Sequence, residues 1–191
     1  MIIWINGAFG SGKTTAAFEL ARRIPGSFVY DPENIGYFIR KNTPKSTHFP
    51  DFQDDPVWRR FNADVLCRLA QYGGTVIVPM TIVNPDYYSE LIEPLVSGFG
   101  AKHFILSASA ETLSARLRKR FNDTWARAQI ERCVAAFGSV ITDTRIDTDG
   151  RSVDWVVEEI ARQAEIALPP DRRGGLRKLI DRTVTLIRHI R

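Results

Sequence analysis

A chain of 191 residues, 44% hydrophobic and 25% charged, is long enough to bury one substantial core and too short to divide comfortably into two. No apolar run approaches the roughly 20 residues that cross a bilayer, and no basic region precedes an apolar leader at the N-terminus, so a cytoplasmic protein is expected. The net charge of +4 belongs to the C-terminus: from Arg172 to Arg191 seven Lys and Arg stand against one acidic residue, the remainder is slightly acidic, and a basic nucleic-acid-binding body is excluded.

Met1 to Ile5 is an apolar run that reads as a short buried strand, and Thr15 to Ile24 repeats apolar residues at helical spacing. Between them stands Gly7-Ala8-Phe9-Gly10-Ser11-Gly12-Lys13-Thr14, a GxxxxGK(S/T) phosphate loop in the strand–loop–helix context that its mechanism needs. The glycines permit backbone angles closed to other residues and let successive N–H groups face one concavity. That concavity lies at a helix N-terminus, where the dipole also favours an anion. Lys13 supplies a mobile charge for the outer phosphates of ATP, and Thr14 a hydroxyl for Mg²⁺. Gly7, Ala8, Phe9, Gly10, Ser11, Gly12, Lys13, Thr14 and Thr15 are therefore the expected nucleotide-binding residues.

Pro25-Gly26 ends the first helix, and Ser27 to Tyr30 reads as a second strand. Asp31 follows it, on the edge where open α/β sheets bind ligands. Two roles stand open for this carboxylate. It can accept the proton of an attacking hydroxyl or hold a Mg²⁺-bound water, or it can cap a helix that opens at Pro32. Residues 42 to 56 carry three prolines and read as an irregular surface segment. Asp55-Pro56 then has the form of an N-cap and first-turn proline for a helix reaching about Tyr72, which Gly73-Gly74 stops. Thr75 to Val78 is a β-branched run suited to a central parallel strand. Further helices are expected near 87–97, 110–121, 125–137 and 152–167, with strands near 103–107 and 140–146. This alternation implies a three-layer α/β fold around a parallel sheet with right-handed crossovers.

Arg116 and Arg120 lie four apart and share a helix face. They either stack on adenine and neutralise charge on the moving phosphoryl group, with the break at 122–124 serving as a lid, or form a solvated basic face. The third strand runs into Pro79-Met80-Thr81, not into the acidic residue that many phosphate-loop NTPases place there for Mg²⁺. The metal is left to Thr14, the phosphates and water, or to help from Asp31. Cys67, Cys133, His48, His103 and His189 are scattered and fit no metal-ligand pattern, and both cysteines read as reduced thiols. Beyond Leu168-Pro169-Pro170, apolar residues recur at spacings of three and four from Leu176 to Ile190. Residues 171–191 are therefore expected to form a basic amphipathic helix lying on an anionic membrane face. The alternative is that its apolar stripe packs on the domain formed by residues 1–170, with its arginines solvated.

The opening Met-Ile-Ile-Trp-Ile-Asn-Gly-Ala-Phe-Gly-Ser-Gly-Lys-Thr resembles the tunicamycin-resistance ATP-binding protein family, within the nucleoside-monophosphate-kinase-like P-loop phosphotransferases. So do Val29-Tyr30-Asp31-Pro32-Glu33, Asp51-Phe52-Gln53, Val78 to Val83, Gln129 to Cys133, and the tail. The resemblance implies a five-stranded sheet ordered 2-3-1-4-5, a short helical lid at about 116–133, and an ATP-binding protein that confers resistance to tunicamycin, a lipid-bearing nucleoside antibiotic. It marks Lys13, Thr14, Asp31, Gln53, Arg116, Arg120 and Arg132 as residues of use. The expectation is ATP-dependent phosphorylation of a hydroxyl on tunicamycin or a related nucleoside or sugar compound. Lys13 and Arg120 would stabilise the transferring group, Asp31 would act as base, and Arg116 and Arg132 would hold the nucleotide. Phe52, Gln53 and Trp58 would line the acceptor pocket. A drug-sequestering protein without turnover and a small-metabolite kinase are the alternatives.

Overall fold

The computed structural model describes residues 1–118 and 124–189. Five strands, β1 (Ile2–Gly7), β2 (Phe28–Val29), β3 (Val76–Pro79), β4 (Lys102–Ser107) and β5 (Thr144–Asp147), form one parallel sheet in the order β2-β3-β1-β4-β5. The central strand β1 is buried along its whole length. Because strand side chains alternate, it feeds two cores: Ile3 and Ile5 pack with α1 (Lys13–Arg23) and α9 (Val153–Gln163), Ile2 and Trp4 with α3 (Pro56–Ala70), α4 (Pro85–Leu91) and α5 (Glu93–Phe99). A third cluster lies beyond the strand ends, where Ala8 of the loop meets α6 (Ala110–Arg118) and α8 (Ile130–Ser139).

Local signals set most of these boundaries. Asp55, Asn84 and Ser152 each accept a backbone N–H at the start of α3, α4 and α9, and Pro56 and Pro85 occupy first turns. Three expectations are corrected. The helix expected over 87–97 is two helices, α4 and α5, meeting at Ile92 with Pro94 in the first turn of the second. The piece expected over 125–137 is α7 (Thr124–Ala128) followed by α8. β5 begins four residues later than the apolar run at 140 suggested. The helix left open after Asp31-Pro32 is present as α2 (Glu33–Asn42).

The last helix, α10 (Gly175–His189), lies antiparallel on α1: Arg22 near the end of α1 meets Asp181 and Thr185, and Phe18 one turn earlier meets His189. The face turned inward is polar. Glu19 on α1, 1% exposed, pairs with Arg22, Arg173 and Arg182, while Asp154 and Asp171 take Lys178 with Arg182 and Arg173. The apolar stripe faces solvent, with Leu176 73% and Ile187 65% exposed. The tail therefore does not pack by its stripe, and its arginines at 173 and 182 are not simply solvated. Among the described residues no helix is long and apolar enough to cross a membrane.

Candidate nucleotide and acceptor site

The phosphate loop leaves β1 at Gly7 and enters α1 at Lys13. At Gly7 only glycine fits: φ is 141° and a Cβ would lie 2.4 Å from the Leu106 carbonyl oxygen. The loop is stitched to the neighbouring strand end by Asn6, whose carboxamide donates to the Ile82 carbonyl and accepts from Gly7 and Ile82 N–H, and by Thr81, whose hydroxyl donates to the Gly7 carbonyl. Lys13 Nζ donates to the Ala8 carbonyl at 3.0 Å, across the mouth of the loop.

Two observations fit this loop to a phosphate chain. The Ser11 hydroxyl oxygen is buried with no hydrogen-bond partner among the described residues. Among the described residues no side chain caps the start of α1, whose N-cap is Gly12 in the left-handed region at φ 99°. Uncapped N–H groups at the positive end of a helix are anion receptors. Thr14 lies on the same wall, where its hydroxyl can serve Mg²⁺.

A cavity of about 540 Å³ is lined by the loop and by the segments that follow β2 and α2. Phe9, Gly10, Gly12, Lys13, Thr14 and Thr15 of the loop and α1 line it, together with Asp31, Phe52 and Gln53. Glu33, Tyr37, Arg40, Asp51, Met80, Thr81, Trp125 and His189, to which sequence reasoning gave no role at the site, also line it. Asp31 Oδ1 accepts the Glu33 N–H at 3.0 Å at the start of α2, so capping geometry and cavity exposure occur in one carboxylate. Its neighbour Tyr30 is pushed up from the usual phenol range by burial and then by the Asp31 charge, and its hydroxyl donates to Asn62. Phe52 is seated under Arg40, 4.1 Å from its ring, and against Gly36, where a Cβ would fall 2.4 Å from that ring. Trp125 of α7 packs edge-on against Phe9 at 5.2 Å, so the segment expected to act as a lid touches the loop through this residue.

Other expected residues sit elsewhere. Trp58 does not line this cavity: it is fully buried, and its indole N–H donates to the Pro32 carbonyl, which braces the turn that carries Asp31. Arg116 donates to the Thr148 carbonyl and hydroxyl at 2.7 and 3.0 Å and approaches the Gly10 carbonyl at 3.5 Å, so it ties α6 to the loop and to the turn after β5. Arg132 stands at the rim, 52% exposed and 3.8 Å from Asp51. Arg120 lies outside the described residues. Cys133 is buried beneath the loop, and burial pushes its thiol up, away from reactivity.

The AAA domain family model matches residues 2–139, and the comparison with curated proteins gave no match. Among solved structures the chain is similar to the tunicamycin resistance protein of Deinococcus radiodurans, with 34% identity over 88% of this chain and 98% of that one and a TM-score of 0.74. A sugar kinase of Janibacter shares the fold at 21% identity, covering 87% of this chain and 95% of that one, TM-score 0.62. So does an APS kinase of Mycobacterium tuberculosis, solved with AMPPNP and APS, at 18% identity, 86% and 96% coverage and TM-score 0.57. With a phosphate loop on the central strand of a kinase-like sheet and these likenesses, the chain belongs to the AAA-domain P-loop family, in the group of the tunicamycin resistance protein.

Proposed function

We propose that the protein is an ATP-dependent phosphotransferase acting on a hydroxyl of tunicamycin or a related nucleoside or sugar compound. The observation that carries this reading is the shared cavity of about 540 Å³, which Lys13 and Asp31 line together. The acceptor oxygen forms a bond to the γ-phosphorus, the bond to the β–γ bridging oxygen breaks, ADP leaves with that electron pair, and the hydroxyl proton passes to Asp31. Lys13 and the N–H groups opening α1 meet the charge on the outer phosphates, a role that Arg120 shares in this proposal. Mg²⁺, held by Thr14, would offset charge on the phosphate oxygens. Phe52 and Gln53 orient the acceptor, Trp58 acts indirectly through the Pro32 turn, and Arg116 and Arg132 hold the nucleotide end and the rim. Mass spectrometry of tunicamycin after incubation with the protein and MgATP tests the proposal. A phosphate-sized mass gain supports it, whereas tight binding of unaltered drug replaces it with sequestration.

The solvent-facing stripe of α10 favours a second reading, peripheral attachment to a membrane through residues 171–191. Because Arg173, Lys178 and Arg182 are engaged in ion pairs, attachment would be led by apolar burial and only weakly sensitive to salt. Flotation with anionic vesicles at low and high salt measures both properties.

A further inference from the structure

We infer that His189, at the C-terminal end of α10, is a positioning residue for Asp31, which makes the last helix of the chain part of the phosphotransfer site. The inference rests on the reading of Asp31 as the base. An amphipathic helix that needed only to be buried would turn its apolar stripe inward. α10 does the reverse: Lys178, Asp181, Arg182 and Thr185 meet α1 and its surroundings, at spacings of three and four along one face, and His189 is the last member of that face. The ion pairs of Glu19 with Arg173 and Arg182 and the hydrogen bond from Arg22 to Thr185 at 2.6 Å hold the helix in one register on α1. That register carries residue 189 to the end of α1 from which Lys13 and Thr14 face the cavity.

There the imidazole packs on Phe18 with ring centroids 4.2 Å apart, and Nδ1 lies 3.8 Å from Asp31 Oδ2. Nδ1 is out of contact with solvent and makes no hydrogen bond among the described residues. A buried polar nitrogen of this kind is costly unless it gains a partner, and the Asp31 oxygen is about 1 Å beyond charge-assisted hydrogen-bond range. The other charged groups lining the cavity are Lys13, Glu33, Arg40 and Asp51, and Asp31 is the one paired with His189. A small closure would let Nδ1–H donate to Oδ2 while the Glu33 N–H holds Oδ1. Two donors on two elements then fix the plane of the carboxylate.

The test compares wild type with Asp31→Asn, His189→Ala, His189→Asn and the Asp31→Asn/His189→Ala pair. Turnover of MgATP is followed as ADP release, with tunicamycin and with water as the sole acceptor, and a melting curve is taken for each variant. His189→Ala should lower kcat about tenfold with an unchanged KM for MgATP, and His189→Asn, whose amide N–H can take the place of Nδ1–H, should restore most of it. In the Asp31→Asn background His189→Ala should have no further effect, because the two act as one unit. Wild-type turnover in His189→Ala, or the same tenfold loss in both backgrounds, overturns the inference and leaves a packing contact on Phe18. Full turnover in Asp31→Asn instead removes the base assignment. If neither acceptor turns over, the ring nitrogen resonances of His189 decide: a shift on Asp31→Asn supports the contact, and an unchanged signal refutes it.

Discussion

Glu19 is the residue on which the docking of α10 turns, and its replacement gives the sharpest measure of that docking. Its carboxylate is 1% exposed; Oε1 lies 2.6 Å from Arg22, while Oε2 lies 2.7 Å from Arg173 and 3.3 Å from Arg182. Glu19→Ala leaves a void and removes the carboxylate shared by three guanidinium groups, of which Arg173 keeps Asp171 and Asp181 and Arg182 keeps Asp154. Breaking a buried ionic network in this way costs about 3 to 5 kcal/mol. The side chains of the three arginines remain 30%, 21% and 21% exposed, so water can recover part of their charge and the lower end applies. For a chain of this length that amounts to a fall in melting temperature on the order of 10 °C. The loss should begin locally, with limited proteolysis cutting within 171–189 before the sheet unfolds, since α10 is joined to the domain through a polar face of ion pairs in which Glu19 is the most buried carboxylate. Glu19→Gln keeps the shape and one acceptor and should lose about half as much. A Glu19→Ala protein that melts within about 2 °C of wild type, with α10 still protected from protease, would show that the helix is held by something other than this carboxylate.

Four further outcomes follow from the same geometry. Lys13→Met should abolish MgATP binding by calorimetry and resistance in cells while leaving the melting temperature nearly unchanged, because Lys13 faces the cavity and not the core. Asp31→Asn keeps an oxygen to accept the Glu33 N–H and should change stability by less than about 1 kcal/mol while turnover drops roughly a hundredfold. Gly36→Ala drives a methyl group into the Phe52 ring and should cost about 1 to 3 kcal/mol and raise KM for the acceptor more than KM for ATP. Acid should release α10. The Asp171 carboxyl is held well below the usual carboxylate range by its hydrogen bonds from Arg173, so its contribution is complete above the unfolded value near pH 4 and is lost as pH falls through the lower folded value. Protease protection of α10 that disappears already at pH 6 would contradict this.

The legible parts of the sequence were those in which one local rule acts alone. The phosphate loop, the β-branched run before Pro79, and the Asp55-Pro56 and Ser152 helix starts all carry their signal within a few residues, and each is where the chain said it would be. Asp31, Phe52 and Gln53 were reached from the strand edge and the family resemblance, and the structure brings them to one cavity. Helix α2 was left open because Asp31-Pro32 reads from sequence either as a ligand-binding strand edge or as a helix cap, and its extent to Asn42 carries no clear local stop signal. Trp58 shows the opposite failure: an aromatic residue near a presumed pocket reads as a wall, and its burial under Pro32 depends on packing between α2 and α3 that no local pattern encodes.

The C-terminal helix shows where periodicity stops being informative. A hydrophobic stripe states that a helix has two faces; it does not state which face the fold will take. Here the decision lies in Glu19, a single buried acidic residue more than 150 positions away, on the helix that opens with Lys13. An acidic side chain in the middle of α1 would be costly against an apolar partner, so the helix that covers α1 must present cations, and its apolar side is turned outward as a consequence. The same choice sets the register that brings His189 beside Asp31. The exposed stripe and the arrival of an imidazole at the candidate base are therefore two results of one buried charge. Any change at Glu19 should move both together: the protease protection of α10 and the turnover proposed at Asp31 would be altered in the same variant.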